Sequence, residues 1–262
     1  MSPLLAIVLL ALLCAGAMAL AWRVVIATGN SGWTDAFWSF TVGLAGVLAA
    51  IGPLEGGAGD QGRKWLVALL VAVWSVRLGL HIARRTLNGK DDPRYAELKR
   101  GWGARWKSQL LLFLEIQAAV ALVLAVAVMA AANNPGPIGL GDALGVAIAI
   151  AAIAGESIAD AQLSRLARNP ANKGKVCDTG LWAWSRHPNY FFEFLYWVAL
   201  VPIGIGYSWG FAALAAPIMM FVLLRYVSGV PPLEQHMLRS RGAAFAEYQQ
   251  RVPAFFPRPP RK

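Results

Sequence analysis

Residues 109–132 of the 262-residue chain read QLLLFLEIQAAVALVLAVAVMAAA, a run whose only charged side chain is Glu115. A helix needs about 20 mostly apolar residues to cross a hydrocarbon core of roughly 30 Å, so this segment is long enough to span a bilayer. In the whole chain 57% of the residues are hydrophobic and 15% are charged, against about 25% charged in soluble domains. The sequence therefore predicts an integral membrane protein.

Other apolar segments of similar length indicate an all-α, polytopic protein with seven transmembrane helices. The first lacks the basic flank of a secretory signal and is kept as a span. We find no repeat and no second domain, so residues 1–262 are expected to form a single transmembrane domain with polar loops near 84–108, 161–189 and 228–262. The predicted spans are residues 3–22, 36–54, 65–83, 109–132, 138–158, 190–206 and 209–227.

Positive charge is distributed unevenly between the two sets of loops that these spans define. One set carries 21 Lys and Arg residues and the other only Arg63 and Lys64. Because basic residues accumulate in cytoplasmic loops, we expect a periplasmic N-terminus and a cytoplasmic C-terminus in a bacterial inner membrane. The net charge of +10 then reflects topology beside an anionic leaflet rather than nucleic-acid binding. Cys14 and Cys177 match neither a metal-binding spacing nor a disulfide framework.

Several polar side chains fall inside predicted spans. Arg77, His81 and Arg84 are spaced to share one helical face, where a charged group costs about 2.5–3.5 kcal/mol on insertion scales and should face the bundle or a wet cavity. One interpretation is an ion pair with Glu115 or Glu156, and the other is contact with a ligand. Both stay open at this point.

Polar groups also gather where span five ends and the next loop begins. Glu156 and Asp160 lie one turn apart, and two such carboxylates repel unless a ligand or a basic neighbour donates to them. The following loop is rich in cations and amides that suit phosphate oxygens, although cytoplasmic loops are basic in any case. Its residues are Arg165, Arg168, Asn169, Asn172, Lys173 and Lys175.

The stretch GLWAWSRHPNYFFE, residues 180–193, opens the sixth span. Pro188 favours a helix start with His187 extended before it. Arg186 and His187 then stand at the positive end of that helix, which favours an anion. The C-terminal part adds further polar groups and a PAFFPRPP tail that we expect to be an ordered surface segment. These features together predict a large anionic cofactor at the cytoplasmic face, without a Rossmann or P-loop motif.

These residues also carry a family resemblance. DAQLSRLARNPANKGKVCDTGLWAWSRHPNYFFE (160–193), with WSVRLGLHIARR, DDPRYAELKR and SGVPPLEQHMLRSRGAAFAEYQQRVPAFFPRPP, resembles the bacterial membrane family of the steroid 5-alpha-reductase C-terminal domain, from about residue 35 to residue 260. A more distant similarity is to isoprenylcysteine carboxyl methyltransferases, which share the Arg-His-Pro turn and the closing Tyr-x-x-Arg-Val-Pro segment.

The resemblance implies a seven-helix reductase that takes NADPH from the cytoplasm and reduces the C=C bond of a lipophilic enone, typically a 3-oxo-4-ene steroid. It also implies which residues line the cofactor site. They are Asp160, Arg168, Asn169, Lys173, Asp178, Gly180, Leu181, Ser185, Arg186, His187, Asn189, Tyr190, Glu193, Arg225 and Tyr248.

Hydride addition to an enone places negative charge on the carbonyl oxygen, so a hydrogen-bond donor must be aimed there. The steroid reductases use a glutamate at the end of span two and a tyrosine in span three. Glu55 is the nearest equivalent of the glutamate, and the other interpretation is an exposed loop glutamate at the periplasmic end of its helix. Ile82 or a neighbour stands at the tyrosine position, and His81 is the closest protic side chain. This departure leaves other hydrophobic enones open as substrates. Tyr95 in DDPRY is interpreted as structural or adjacent to the nucleotide.

Two other classes of function are weighed against the reductase. The first is a methyltransferase that uses S-adenosylmethionine, although its relatives carry paired glutamates where this chain has Leu233, Glu234 and Gln235. The second is a scaffold or transporter, for which no inverted repeat is evident. The expected partners are a lipophilic small molecule and membrane lipid, with no metal and no nucleic acid. The oligomeric state and the physiological substrate stay open.

Overall fold

The computed structural model describes residues 1–55, 59–89, 91–172 and 174–259. Its described residues are mostly helical and contain no β-strand, which confirms the all-α prediction. The α-helices are α1 (Pro3–Thr28), α2 (Gly32–Ile51), α3 (Gln61–Asn88), α4 (Pro93–Trp102), α5 (Trp106–Ala132), α6 (Leu140–Arg168), α7 (Pro188–Val198), α8 (Leu200–Gly204), α9 (Ala215–Val222), α10 (Val230–Arg241) and α11 (Ala243–Arg251).

Six helical stretches in the described residues are long and apolar enough to cross a membrane, so the chain is a multi-pass membrane protein. They are Pro3–Thr28, Gly32–Ile51, Gln61–Leu87, Arg94–Ala132, Leu140–Arg168 and Gly210–Arg241. In lipid the backbone must satisfy its own hydrogen bonds, and a helix does this within one segment. Large apolar side chains on these helices are exposed, as expected for surfaces that face lipid.

The predicted span at residues 190–206 is helical but interrupted. α7 ends at Val198, and α8 begins at Leu200. Pro202 has no N–H to bond the carbonyl four residues earlier, and its ring crowds that carbonyl. The Ala199 N–H instead bonds the Tyr196 carbonyl at 3.1 Å, a tighter turn than the α-helix. The proline therefore divides this segment into two short helices.

The chain separates into two compact units. The first comprises residues 1–143 and 200–216, and the second comprises residues 144–199 and 217–262. In the first unit α1 packs against α2 and α5. Its inner face repeats about every four residues, as Leu10, Cys14 and Met18 do. The opposite face, with Leu4 and Leu12, is exposed.

Small residues let α2 and α3 approach closely. A Cβ atom added to Gly43 would lie 2.0 Å from Ser75 Oγ, and one added to Gly46 would lie 2.7 Å from a Val71 methyl. The Ser75 hydroxyl donates to the Ser39 carbonyl at 2.9 Å. Helices in membranes associate through this kind of close packing, because burial of apolar side chains gains little when the solvent is itself apolar.

At one end of α3, Arg63 is almost completely buried and its guanidinium is fully hydrogen-bonded. Nε and Nη2 donate to the two oxygens of Asp142 at 2.7 and 2.8 Å. The remaining donors reach the carbonyls of Asn134, Gly136 and Pro137 at 2.6 to 2.8 Å. The carboxylate and three carbonyls compensate the cost of burying this charge. Arg63 thus ties the start of α3 to the start of α6.

A second cluster lies at the other end of α3, where the DDPRY motif holds the turn between α1 and α2. The Tyr95 hydroxyl donates to Asp35 at 2.7 Å, and Arg94 donates to the other carboxylate oxygen at 2.6 Å. Asp91 accepts from the Ser31 backbone N–H at 2.7 Å. Tyr95 is buried. Of the two roles predicted for it, the structure therefore favours the structural one.

The second unit is built from the rest of α6 with α7, α9, α10, α11 and the C-terminal segment. α6 and α7 meet at Gly155, where an added Cβ would lie 2.3 Å from the Phe192 ring. Phe255 of the PAFFPRPP tail packs within 6.3 Å, centroid to centroid, of the rings of Phe191, Phe194 and Phe221. Residues 253–259 of the tail are therefore ordered.

The close approach of α2 and α3 gives a testable prediction. We expect Gly43→Ala to lower the free energy of unfolding by about 1–3 kcal/mol, because the new methyl group overlaps Ser75 in a packed interface. Gly16→Ala on α1 is the matched control, since nothing lies within 4 Å of its added Cβ. Denaturant titration in mixed micelles measures both. Equal stability of the two variants would contradict the packing described for α2 and α3.

Candidate functional site

Most of the residues predicted to bind the cofactor lie in the second unit around the segment 180–187. Helix α7 starts at Pro188, as the sequence predicts, whereas His187 before it has φ of −137° and ψ of 61° and so is not in the predicted extended conformation. The preceding Gly180–Ala183 turn is a short 3₁₀ helix. Gly180 has φ of +63°, and an added Cβ would lie 2.4 Å from Gln162 Nε2. Glycine is thus required there by both conformation and space.

This segment is held against the end of α6. The Leu181 N–H donates to Gln162 Oε1 at 3.0 Å, and the indole N–H of Trp182 donates to the Ala159 carbonyl at 3.0 Å. Asp160 lies between Ala159 and Gln162 on α6 and is half-buried. The end of α6 therefore fixes the position of the predicted binding loop.

The C-terminal segment pairs with the same loop from its other side. The Arg186 N–H donates to the Pro253 carbonyl at 2.9 Å, and the Ser185 hydroxyl donates to the Phe255 carbonyl at 2.8 Å. The Tyr248 hydroxyl donates to the Trp182 carbonyl at 2.6 Å. Burial raises the pKa of Tyr248, which keeps this hydroxyl protonated as a donor. Ser185, Arg186 and Tyr248 are thus brought together.

Arg186 is the centre of this arrangement. Its Nε and Nη2 donate to the two oxygens of Glu234 at 2.8 and 3.1 Å, and its Nη1 donates to the carbonyls of Gln249 and Val252. The side chains of Arg186 and Glu234 are only 10% and 14% exposed. The guanidinium is thus used mainly to join the loop to α10 and α11. A direct contact between Arg186 and a phosphate stays a prediction.

His187 shares the same carboxylate. Its Nε2 lies 2.9 Å from Glu234 Oε1, and its ring stacks on Tyr190 with centroids 5.5 Å apart. Burial lowers the pKa of His187, against the opposing effect of Glu234, so the imidazole is neutral near pH 7. Since the carboxylate accepts from Nε2–H, Nδ1 carries the lone pair. That buried atom has no hydrogen-bond partner in the described part of the chain.

Two pockets open on the second unit, on neighbouring sides of the end of α6. The first, which we call the aromatic pocket, has a volume of about 440 Å³. Its lining includes Ile158, Gln162, Leu181, Trp184, Phe192 and Pro257. The second, which we call the polar pocket, has a volume of about 360 Å³. Its lining includes Asn169, Asn172, Lys175, Cys177, Met237 and Arg241. Both volumes fall in the range of roughly 300–1,000 Å³ typical of small-molecule sites.

The other predicted binding residues take different positions. Glu193 is buried on α7 and accepts from the indole N–H of Trp197 at 3.0 Å. Arg225 lies with its guanidinium 5.0 Å from the Tyr226 ring centroid. Asn189 is half-buried at the start of α7. Arg168 is exposed at the end of α6, and Asp178 is exposed 3.6 Å from Arg251. Lys173 lies outside the described residues.

The two predicted catalytic residues belong to the first unit and are far apart in it. Glu55 precedes α3, is 72% exposed and lies 3.5 Å from the N-terminal amino group. His81 is half-buried in the second half of α3. At 1.5 Å per residue the axial distance from the start of α3 at Gln61 to His81 is roughly 30 Å. The structure thus does not bring Glu55 and His81 together.

Several residues that line the two pockets were not predicted from the sequence. Trp184 and Gln162 resemble ordinary interfacial and helix-surface residues, and Arg241 in the last turn of α10 reads as a cation that stabilises a helix end. Cys177 is buried, which raises its pKa, so the thiol is a poor nucleophile. Gln162 lies one turn after Ile158, so the two share a face of α6 near its polar end. This spacing is the only sequence signal for the position of Gln162.

The chain belongs to the DUF1295 family, described as a protein of unknown function, which matches residues 21–252. No curated protein and no solved structure matches the chain.

The contacts of Arg186 lead to a prediction on stability. Arg186→Ala leaves Glu234 buried without its guanidinium, and removing one partner of a buried pair costs about 3–5 kcal/mol of unfolding free energy. The control is Arg251→Ala, whose pair with Asp178 is 44% exposed on both sides and contributes about 0–1 kcal/mol. Denaturant titration in mixed micelles compares the two. An Arg186→Ala variant as stable as Arg251→Ala would refute the central role of Arg186.

Proposed function

We propose that this protein is an NADPH-dependent integral-membrane reductase that transfers a hydride to the C=C bond of a lipophilic enone, with a 3-oxo-4-ene steroid as the expected substrate class. The observation that supports it best is the second unit's loop site. There the end of α6, the segment 180–187 and the C-terminal segment join around an apolar pocket and a neighbouring cationic one. Sequence resemblance to the steroid 5-alpha-reductases, over most of the region that the DUF1295 family covers, supports the same proposal.

The residues present are compatible with a dinucleotide. Trp184, Phe192 and Leu181 offer flat and apolar surfaces in the aromatic pocket, and Lys175 with Arg241 offers cations in the polar pocket. A dinucleotide combines aromatic rings with phosphates and needs both kinds of surface. The frame around Arg186 would keep these surfaces fixed, so that little conformational entropy is lost on binding.

The chemistry requires one donor besides the cofactor. NADPH in the loop site would supply a hydride, with its two electrons, to the β-carbon of the enone, and a proton from solvent would complete the saturated ketone at the α-carbon. In our proposal His81 donates a hydrogen bond to the carbonyl oxygen, where negative charge develops. Glu55 precedes α3 whereas His81 is in its second half, so Glu55 is proposed only as the alternative donor, which would require it to be protonated in a substrate cavity.

The proposal predicts selective stabilisation by NADPH. A ligand at 100 times its dissociation constant stabilises the folded state by about 2.7 kcal/mol, so NADPH should raise the thermal unfolding temperature of purified protein, and S-adenosylmethionine should not. Membranes supplied with NADPH and a 3-oxo-4-ene steroid should yield the saturated 3-ketone, detected by mass spectrometry.

Three results would count against the reductase. Stabilisation by S-adenosylmethionine alone would favour a methyltransferase. No stabilisation by either cofactor would favour a scaffold or transporter. If the protein binds NADPH but oxidises it with no lipophilic enone, the proposed reaction is excluded.

We further propose seven crossings in a bacterial inner membrane, with the N-terminus periplasmic and the C-terminus cytoplasmic. The helical residues 188–204 would supply the crossing that joins the six long stretches. The uneven distribution of Lys and Arg between the two sets of loops supports this orientation.

Reporter fusions at the two termini test the number of crossings. Seven crossings place the termini on opposite sides, so a fluorescent protein at the C-terminus and an alkaline phosphatase at the N-terminus should both be active. Six crossings place both termini on one side, and one of these reporters would then be inactive. The reversed pair of fusions serves as the control for expression.

A further inference from the structure

Exposed cations and half-buried tryptophans meet in the first unit, where the last turns of α1 lie beside the start of α5. The Trp22 indole N–H donates to the Lys107 carbonyl at 2.8 Å, which brings Arg23 of α1 to the start of α5. Lys107 Nζ lies 5.8 Å from the centroid of the Trp106 ring. Arg23, Arg105 and Lys107 are exposed, whereas Trp22 and Trp106 are half-buried. We call these five residues the basic corner.

The three cations of the basic corner are not neutralised by the protein. None of them forms an ion pair with a described residue. Residues 1–34 and 98–114 contain no Asp or Glu, so no acidic neighbour along either helix can serve. Lys99 shows the contrast, since its ammonium group pairs with Asp91 at 3.0 Å. The corner therefore presents uncompensated positive charge at its surface.

Exposed apolar side chains continue from this corner along both helices. Leu20 lies three residues before Arg23, so the two share a face of α1. Leu112 and Ile116 lie two and three turns beyond Arg105 and share its side of α5. All three apolar side chains are exposed. Each helix thus places a cation at the end of an apolar face, an arrangement that matches a charged headgroup above an acyl chain.

The two tryptophans place the basic corner at the bilayer surface, because tryptophan is enriched at the interface between hydrocarbon and water. Lys and Arg at this level attract anionic lipids. A soluble anion would gain nothing from the apolar faces beside the cations. We propose that the basic corner binds the phosphate headgroup of an anionic phospholipid, whose acyl chains lie along the exposed faces of α1 and α5. This proposal does not rest on the proposed reductase.

The test titrates the full chain in detergent with dioleoylphosphatidylglycerol and measures the dissociation constant of the first bound lipid by native mass spectrometry. One cation near the lipid phosphate should contribute about fivefold in affinity. Arg105→Gln and Lys107→Gln should therefore each weaken binding by about fivefold, and the double variant by about twentyfold. Dioleoylphosphatidylcholine, whose headgroup has no net charge, should bind the parent and these variants equally.

Arg258→Gln is the matched control, since it removes one exposed positive charge from the C-terminal segment of the second unit. It should leave the dissociation constant of phosphatidylglycerol unchanged. Arg105→Lys keeps the charge and should bind nearly as the parent does. Thermal unfolding without added lipid checks that each variant is folded.

Three outcomes would overturn the proposal. Equal weakening by Arg258→Gln and Arg105→Gln would mean that binding follows net charge rather than a site. Unchanged phosphatidylglycerol affinity in the folded double variant would exclude the basic corner. If inorganic phosphate stabilised the parent as strongly as phosphatidylglycerol does, and the double variant not at all, the corner would be a site for a soluble anion. Each result is independent of NADPH binding, which tests the proposed function separately.

Discussion

A bilayer offers the backbone no hydrogen-bond partner, and this constraint governs the whole structure. Every long apolar segment therefore becomes a helix, and polar groups must find partners inside the protein. Arg63 shows how strict the requirement is, because all its guanidinium donors are directed to Asp142 and to backbone carbonyls. In the same apolar setting, helices gain stability from close contact, and α2 and α3 obtain it through Gly43 and Gly46.

In the loop site of the second unit, polar groups also find partners inside the protein, but two arginines do so to different extents. Arg186 satisfies its charge on Glu234 and on carbonyls of the C-terminal part, so it builds a rigid frame. Arg241 keeps a buried N–H without a partner among the described residues. Arg186 therefore organises the site, whereas Arg241 lines the polar pocket.

Much of the fold could be predicted from the sequence, because the length of an apolar segment and the residues that begin or end a helix are local properties. Pro188 marks the start of α7 as expected, and six of the seven predicted spans coincide with long helical stretches of the described residues. The segment at 190–206 was harder to predict, since its composition is apolar throughout while Pro202 interrupts the hydrogen-bond ladder. Single residues such as this proline alter a helix without altering the average hydrophobicity around them.

The sequence by itself determined the membrane class, the helical segments and the loop where polar residues gather, because each depends on composition or on neighbours along the chain. Only the tertiary structure decided how individual polar side chains are used. Arg186 and Glu234 are 48 residues apart, and Arg241 reaches the polar pocket from α10, well beyond the loop that supplies Lys175. Such pairings depend on how distant segments pack, and no local pattern specifies which cation finds a carboxylate and which remains open.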